Sequence, residues 1–216
     1  CIRDRLSPSA FQLYAITEPS AKLTENVRAA IDGGITMLQI REKNCTTQRL
    51  IQLAYPLVNI CRSAGIPCII NDNVEAARVL GADGVHVGQR DMKLKKAREI
   101  LGDSAVIGTS AHSVEEALRA EAEGADYIGC GAVFQTATKS DATPLTLEKL
   151  CAIRKAVSIP IVAIGGITAE NLPHLYSSGA DGIAVVSAIF GQPDITQAAR
   201  NLFELTKVFQ KSGAQV

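Results

Sequence analysis

The sequence carries no surplus of either charge: 22 Lys+Arg balance 22 Asp+Glu over 216 residues. That excludes a global field for nucleic acid or an anionic membrane surface, so any bound anion must be held by locally converging groups. No stretch reaches the roughly 18 apolar residues of a spanning helix, and the opening residues CIRDRLSPSAFQ lack the apolar core of a signal peptide. None of the six cysteines, at 1, 45, 61, 68, 130 and 151, has a partner at Cys-x-x-Cys spacing or a histidine completing a zinc pattern. They read as small buried hydrophobes in a reduced, cytoplasmic protein. Because residue 1 is Cys and not Met, the chain is expected to be trimmed. There is no Pro/Ser-rich linker or low-complexity tract either, and a 47% apolar composition excludes a disordered tail. A single domain over residues 1–216 is expected.

What is present is an alternation. Short β-branched runs at Gln12–Thr17, Met37–Arg41, Cys68–Asn71, Gly84–Val87, Val106–Thr109, Tyr127–Cys130, Ile161–Ile164 and Ile183–Val186 are separated by segments of helical period. Runs such as CIIN, IVAI and IAVV are apolar at nearly every position, as strands covered on both faces of a parallel sheet must be. The intervening stripes include Val27, Ala30 and Ile31; Ile51, Ala54, Leu57, Val58 and Cys61; Leu147, Leu150 and Cys151; and Ala198, Leu202, Leu205 and Phe209. Ser113 and Glu116 form a capping-box pattern, and Thr168 is placed to cap a helix after the seventh run. Gly81-Ala-Asp83, Gly124-Ala-Asp126 and Gly179-Ala-Asp181 each close a helix and open a strand. Eight βα units in about 200 residues predict an α/β fold, a single (β/α)8 TIM barrel of parallel strands, with an open doubly wound sheet as the alternative.

In a barrel the chemistry belongs just after each strand. The second strand ends in Gln39-Ile-Arg-Glu-Lys43, which places Gln39, Arg41 and Lys43 on one side. Two cations there call for an anion, unless they pair with Glu42 and its neighbours. Asp72 and Asp91 follow neighbouring strands, where they either share a Mg2+ ion completed by substrate phosphate or cap the helices that follow. His112 reads as a structural residue at a helix start, since nothing nearby is an evident nucleophile. Gln135-Thr-Ala-Thr-Lys-Ser140 is a loop of hydroxyls around Lys139. Ile164-Gly-Gly-Ile-Thr168 and Val186-Ser-Ala188 form the phosphate site typical of a barrel's seventh and eighth strands, unless the glycines only make a tight turn. Two anion sites are expected: one cationic, suited to a diphosphate leaving group, and one built from backbone, suited to a phosphomonoester, with Lys139 between them.

Together the motifs Gln39-Ile-Arg-Glu-Lys43, Ile70-Asn-Asp72, His86-Val-Gly-Gln-Arg-Asp91, Gly108-Thr-Ser-Ala-His112, Thr136-Ala-Thr-Lys139, Ile164-Gly-Gly-Ile-Thr168 and Val186-Ser187 resemble the thiamine-phosphate synthase family over roughly residues 12 to 210. The resemblance implies a transferase of thiamine biosynthesis. It joins 4-amino-2-methyl-5-(diphosphooxymethyl)pyrimidine to 4-methyl-5-(2-phosphooxyethyl)thiazole, with Mg2+ as cofactor, and releases diphosphate and thiamine phosphate. It implies that Gln39, Ile40, Arg41, Glu42, Lys43, Asn71, Ser110 and Lys139 hold the pyrimidine diphosphate, with Arg41, Lys43, Ser110 and Lys139 acting in catalysis. Asp72 and Asp91 would hold the metal, and Thr136, Ala137, Thr138, Gly166, Val186 and Ser187 the thiazole phosphate. The implied mechanism is dissociative, and the partners are these small molecules, with no nucleic acid or membrane. The oligomeric state is left open.

Two positions depart from the family pattern: Gln135 stands where proline is common, and Asn73 where a second Asp is frequent. Two other readings are a metal-independent thiazole phosphate tautomerase-like paralogue, which would not need Asp72, Asp91 or Lys139, and a non-catalytic phosphate-ligand sensor.

Overall fold

In the computed structural model, which describes residues 6–135 and 145–212, the eight runs become β1 (Leu13–Ile16), β2 (Met37–Ile40), β3 (Cys68–Asn71), β4 (Gly84–Val87), β5 (Val106–Ala111), β6 (Tyr127–Gly131), β7 (Ile161–Ile164) and β8 (Gly182–Val185). They are parallel and close in sequence order, with Ala15 registered on Leu38 at one junction and on Val185 at the other. The expected (β/α)8 barrel is therefore realised, and the open sheet is not. The helices are α1 (Leu23–Asp32), α2 (Thr47–Ala64), α3 (Val74–Leu80), α4 (Leu94–Leu101), α5 (Val114–Ala122), α6 (Leu147–Ala156), α7 (Ser187–Phe190) and α8 (Ile195–Ser212).

After β7 the expected helix is a 3-10 turn, Leu172–Leu175. Pro173 has no N–H to donate to the carbonyl of residue 169, so an α-helix begun at Thr168 would lack a bond in its first turns. Thr168 and Asn171 bond each other reciprocally instead, backbone N–H to side-chain oxygen in both directions. Two stripes also differ in detail. In α6 the buried positions are Leu150 and Ile153 while Leu147 is exposed, and in α8 the buried line runs Ala199, Leu202, Thr206 and Phe209. Cys61, Cys68 and Cys130 are buried as expected, whereas Cys45 and Cys151 are only partly so.

Period-two alternation divides the apolar residues into two cores. Leu13, Leu38, Ile70, Val85, Ile107, Ile128, Ile161 and Ile183 face the helices. Tyr14, Ile16, Met37, Ile69, Val106, Tyr127, Val162 and Ala184 fill the barrel interior.

The strand starts are tied by a device used four times. The backbone N–H groups of Thr36, Asp83, Asp126 and Asp181 donate to the carbonyls of Leu13, Cys68, Ile107 and Ile161 at 2.8–3.0 Å. The side chains of the same four residues accept the N–H of Leu13, Cys68, Ile107 and Ile161 at 2.9, 2.8, 2.7 and 2.8 Å. This gives the Gly-Ala-Asp echo its physical content, with Thr36 as the variant after Gly33-Gly-Ile. Asp126 also takes Arg98 at 2.7 Å, and Asp181 takes Arg154 at 3.0 Å.

Candidate functional site

At the opposite, C-terminal rim the first group comes from β1 and β2. Buried Thr17 donates its N–H to the Gln39 carbonyl at 2.9 Å, and its hydroxyl accepts the Arg41 N–H at 2.9 Å. That pins the backbone where the chain leaves β2. Gln39 is buried in the interior, Arg41 and Glu42 are half-buried and Lys43 is exposed. Among the described residues, neither Arg41 nor Lys43 has a carboxylate within ion-pair distance. The pairing with Glu42 is therefore not made, and both cations remain available to an anion.

The two aspartates meet from β3 and β4. Neither caps a helix: the caps of α3 and α4 are Asn73 and Lys93. Asn73, one of the two departures from the family pattern, accepts the Ala76 N–H at 2.8 Å and so does a cap's work. Asp72 sits at φ 60°, a left-handed conformation rare for a side-chain-bearing residue, and its N–H donates to the His86 carbonyl at 2.8 Å. Asp91 closes a turn by accepting the Gly88 N–H at 2.7 Å. Partial burial, then the charge of Asp91 and a hydrogen bond with it, push the Asp72 carboxyl up to about 6, against smaller opposing effects of Asn71 and Arg41. Two carboxylates held this close are a natural seat for a cation.

Ser110, on β5, is half-buried, and its carbonyl accepts Gln89 Nε2 at 2.5 Å while Gln89 Oε1 accepts Arg119 at 2.7 Å. Its hydroxyl lies 3.1 Å from His86 Nε2. His112 is tied through Nδ1 to Glu116 at 3.1 Å, as its structural reading requires. In the capping box, Ser113 accepts the Glu116 N–H, but the Glu116 carboxylate accepts the His112 N–H, one residue ahead of the cap.

At β7 the glycine turn and the strand-six loop lie against each other, with Val133 N–H on the Ile164 carbonyl and Phe134 N–H on the Gly165 carbonyl, both at 3.0 Å. Gly166 has φ +65°, and a Cβ there would lie 2.3 Å from the Gln135 carbonyl. Its lack of a side chain thus serves the close approach of this chain's own loop at that atom. Thr136, Ala137, Thr138 and Lys139 lie outside the described residues. Val186 is half-buried and precedes α7, whose Ser187 is exposed. The first amides of that turn have no preceding carbonyl to bond.

Residue-by-residue reading missed a polar chain inside the barrel. Gln39 Nε2 donates to Tyr14 Oη at 2.8 Å, Tyr14 Oη lies 3.0 Å from Tyr127 Oη, and Tyr127 Oη lies 3.0 Å from His86 Nδ1. The signal for it was the run of interior glycines: a Cβ at Gly108 would lie 2.1 Å from Tyr127 Cζ.

A model of the family described as thiamine monophosphate synthase matches residues 13–189. Thiamine-phosphate synthase of Methanocella arvoryzae is 47% identical over 210 residues, covering 95% of this chain and 99% of that protein. The Chloroflexus aurantiacus thiamine-phosphate synthase is 47% identical over 206 residues, covering 93% and 95%. The solved thiamine phosphate pyrophosphorylase of Pyrococcus furiosus superposes with a TM-score of 0.86 at 38% identity, covering 94% of this chain and 98% of that one. The motifs spaced along the strand ends thus sit on the fold of these relatives over nearly their whole length, and the chain belongs to the thiamine monophosphate synthase family.

Proposed function

We propose that the C-terminal rim forms thiamine phosphate from the aminopyrimidine methyl diphosphate and the thiazole phosphate, with the residues assigned above and a Mg2+ ion. The observation that carries this reading is that Arg41 acts on Asp72 while the like charge of Asp91 repels it, on neighbouring strand ends, and that neither Arg41 nor the nearby Lys43 has an ion-pair partner among the described residues. A diphosphate chelating a divalent cation answers both needs. A metal-independent tautomerase or a phosphate sensor answers only one.

Asp72 and Asp91 would hold the metal, which when bound neutralises charge on the departing diphosphate. Arg41, Lys43 and Lys139 hold the phosphate oxygens, and Gln39, Asn71 and Ser110 orient the aminopyrimidine. The methylene C–O bond breaks with its electron pair leaving on diphosphate, the electron-rich ring carries the resulting cation, and the thiazole nitrogen lone pair closes the new C–N bond. No proton needs to be removed, which agrees with a structural His112. Thr136, Ala137, Thr138, Gly166, Val186 and Ser187 hold the thiazole phosphate so that its nitrogen faces the methylene carbon. Catalysis is then electrostatic and positional. The proteins of this family named above act on small molecules, and among the described residues no helix is long and apolar enough to cross a membrane.

The test is incubation with both substrates, followed by mass spectrometry for thiamine phosphate. Product is expected with Mg2+, none after chelation, and recovery on re-addition. Absence of product under all conditions overturns the reading, and product insensitive to chelation removes the metal from it.

A further inference from the structure

We infer that Tyr14, Tyr127 and His86 form a one-directional hydrogen-bond relay that holds the Ser110 hydroxyl as a donor toward a lone-pair acceptor of the pyrimidine diphosphate. The inference deepens the proposed function and rests on its placing of Ser110 beside that substrate.

Direction follows from counting protons. The Gln39 amide donates to Tyr14 Oη at 2.8 Å, so the single Tyr14 proton is left for Tyr127 Oη, 3.0 Å away. Tyr127, accepting there, has its own proton left for His86 Nδ1 at 3.0 Å. An accepting Nδ1 fixes the neutral imidazole with its proton on Nε2, which donates to Ser110 Oγ at 3.1 Å. Ser110, having accepted, gives its proton outward. Both phenols keep their protons at neutral pH because burial pushes them up, Tyr14 above its ordinary value of 10.0 and Tyr127 well above it. Were the chain to run the other way, Ser110 would donate inward and present only lone pairs to the substrate.

The surroundings hold the relay in place. Tyr14 and Tyr127 are fully buried and meet edge to face at 6.0 Å, and Tyr127 packs on the His86 ring at 5.5 Å. A Cβ at Gly129 would lie 3.3 Å from His86 Cε1. The Ser110 backbone is fixed separately, through Gln89 and Arg119. The three relay residues are therefore positioning residues, acting through Ser110.

Two measurements test this. In protein carrying 15N-histidine, two-bond proton–nitrogen correlation reads the tautomer of each of the three histidines, with His112→Gln and His174→Gln assigning His86. The Nε2–H tautomer is expected, and Nδ1–H overturns the direction. Tyr127→Phe keeps the ring and removes the link. It should lower kcat about tenfold in the unaltered protein and leave kcat nearly unchanged in the Ser110→Ala background. Equal losses in both backgrounds assign Tyr127 to packing alone and overturn the relay. Tyr14→Phe, one link further out, should cost about threefold with the same background dependence, and serves where Tyr127→Phe does not fold. Should Ser110→Ala itself leave kcat and KM unchanged, the placing of Ser110 beside the substrate fails, while the tautomer still judges the relay.

Discussion

The two ends of the barrel use the same residue types to opposite ends. At the base, Asp126 and Asp181 each satisfy a strand amide and an arginine at once. At the rim, Asp72 stands against Asp91, and Arg41 and Lys43 have no carboxylate partner among the described residues. A charge whose partners are all supplied by the chain stabilises the fold. A charge left with a like neighbour is stabilised only by something that binds, so function and stability separate along the barrel axis.

Substitutions should separate in the same way. Asp72→Asn should lower kcat about a thousandfold, about 4 kcal/mol, while leaving urea stability at pH 7 no lower than that of the unaltered protein. A loss of stability with kcat retained would dissolve the contrast. Asp126→Ala is the mirror case: with Arg98 deprived of its carboxylate and the Ile107 N–H left unpartnered, unfolding in urea should show a loss of about 2–3 kcal/mol, with kcat per folded molecule intact. The rim should also reveal its repulsion through pH. Asp72 titrates near 6 when folded against an ordinary 3.8, so the folded state holds this proton more tightly than the unfolded one. Its contribution is fully present below about pH 4 and is lost as pH rises through about 6. Metal-free protein should lose about 2 kcal/mol over that span, discounted from the roughly 3 that the shift implies because the carboxyl keeps solvent contact. Asp72→Asn should flatten this loss, and a profile unchanged by the substitution would refute it. Gly166→Ala should raise KM for the thiazole phosphate about tenfold, about 1.4 kcal/mol, by pushing back the 134–135 backbone, with KM for the pyrimidine diphosphate unchanged. Smallest, Thr36→Val should cost about 1 kcal/mol in thermal or urea unfolding, since a neutral hydroxyl serves where the other three sites use carboxylates.

Strands such as Cys68–Asn71 and Ile161–Ile164 were legible to the residue because burial on both faces forces a continuous apolar run. Asp72 and Asp91 were legible for a different reason, since any residue at a barrel strand's end lands on the rim. The turn at Leu172–Leu175 was not, because a single Pro173 outweighs the cap and stripe around it. Nor was the interior chain: Tyr14 and Tyr127 are 113 residues apart, and only barrel closure brings their hydroxyls together. The pressure of the Gln135 carbonyl on Gly166 was hidden likewise, being a contact between two different loops.

The repeated tie at the strand starts bears on how the chain comes together. Its four side-chain bonds span 23, 15, 19 and 20 positions. Each can therefore close within a newly made strand–helix–strand segment at small loop-closure cost, whereas joining β8 to β1 links residues near opposite ends of the chain. Assembly by successive quarters, each locked before the next arrives, leaves the final ring closure as the one distant encounter. The repelling pair at the rim, Asp72 and Asp91, follows the two strands of a single quarter, so the tie between Cys68 and Asp83 locks the same strand pair whose far ends hold the carboxylates together, while Arg41 and Lys43 arrive from the quarter before it.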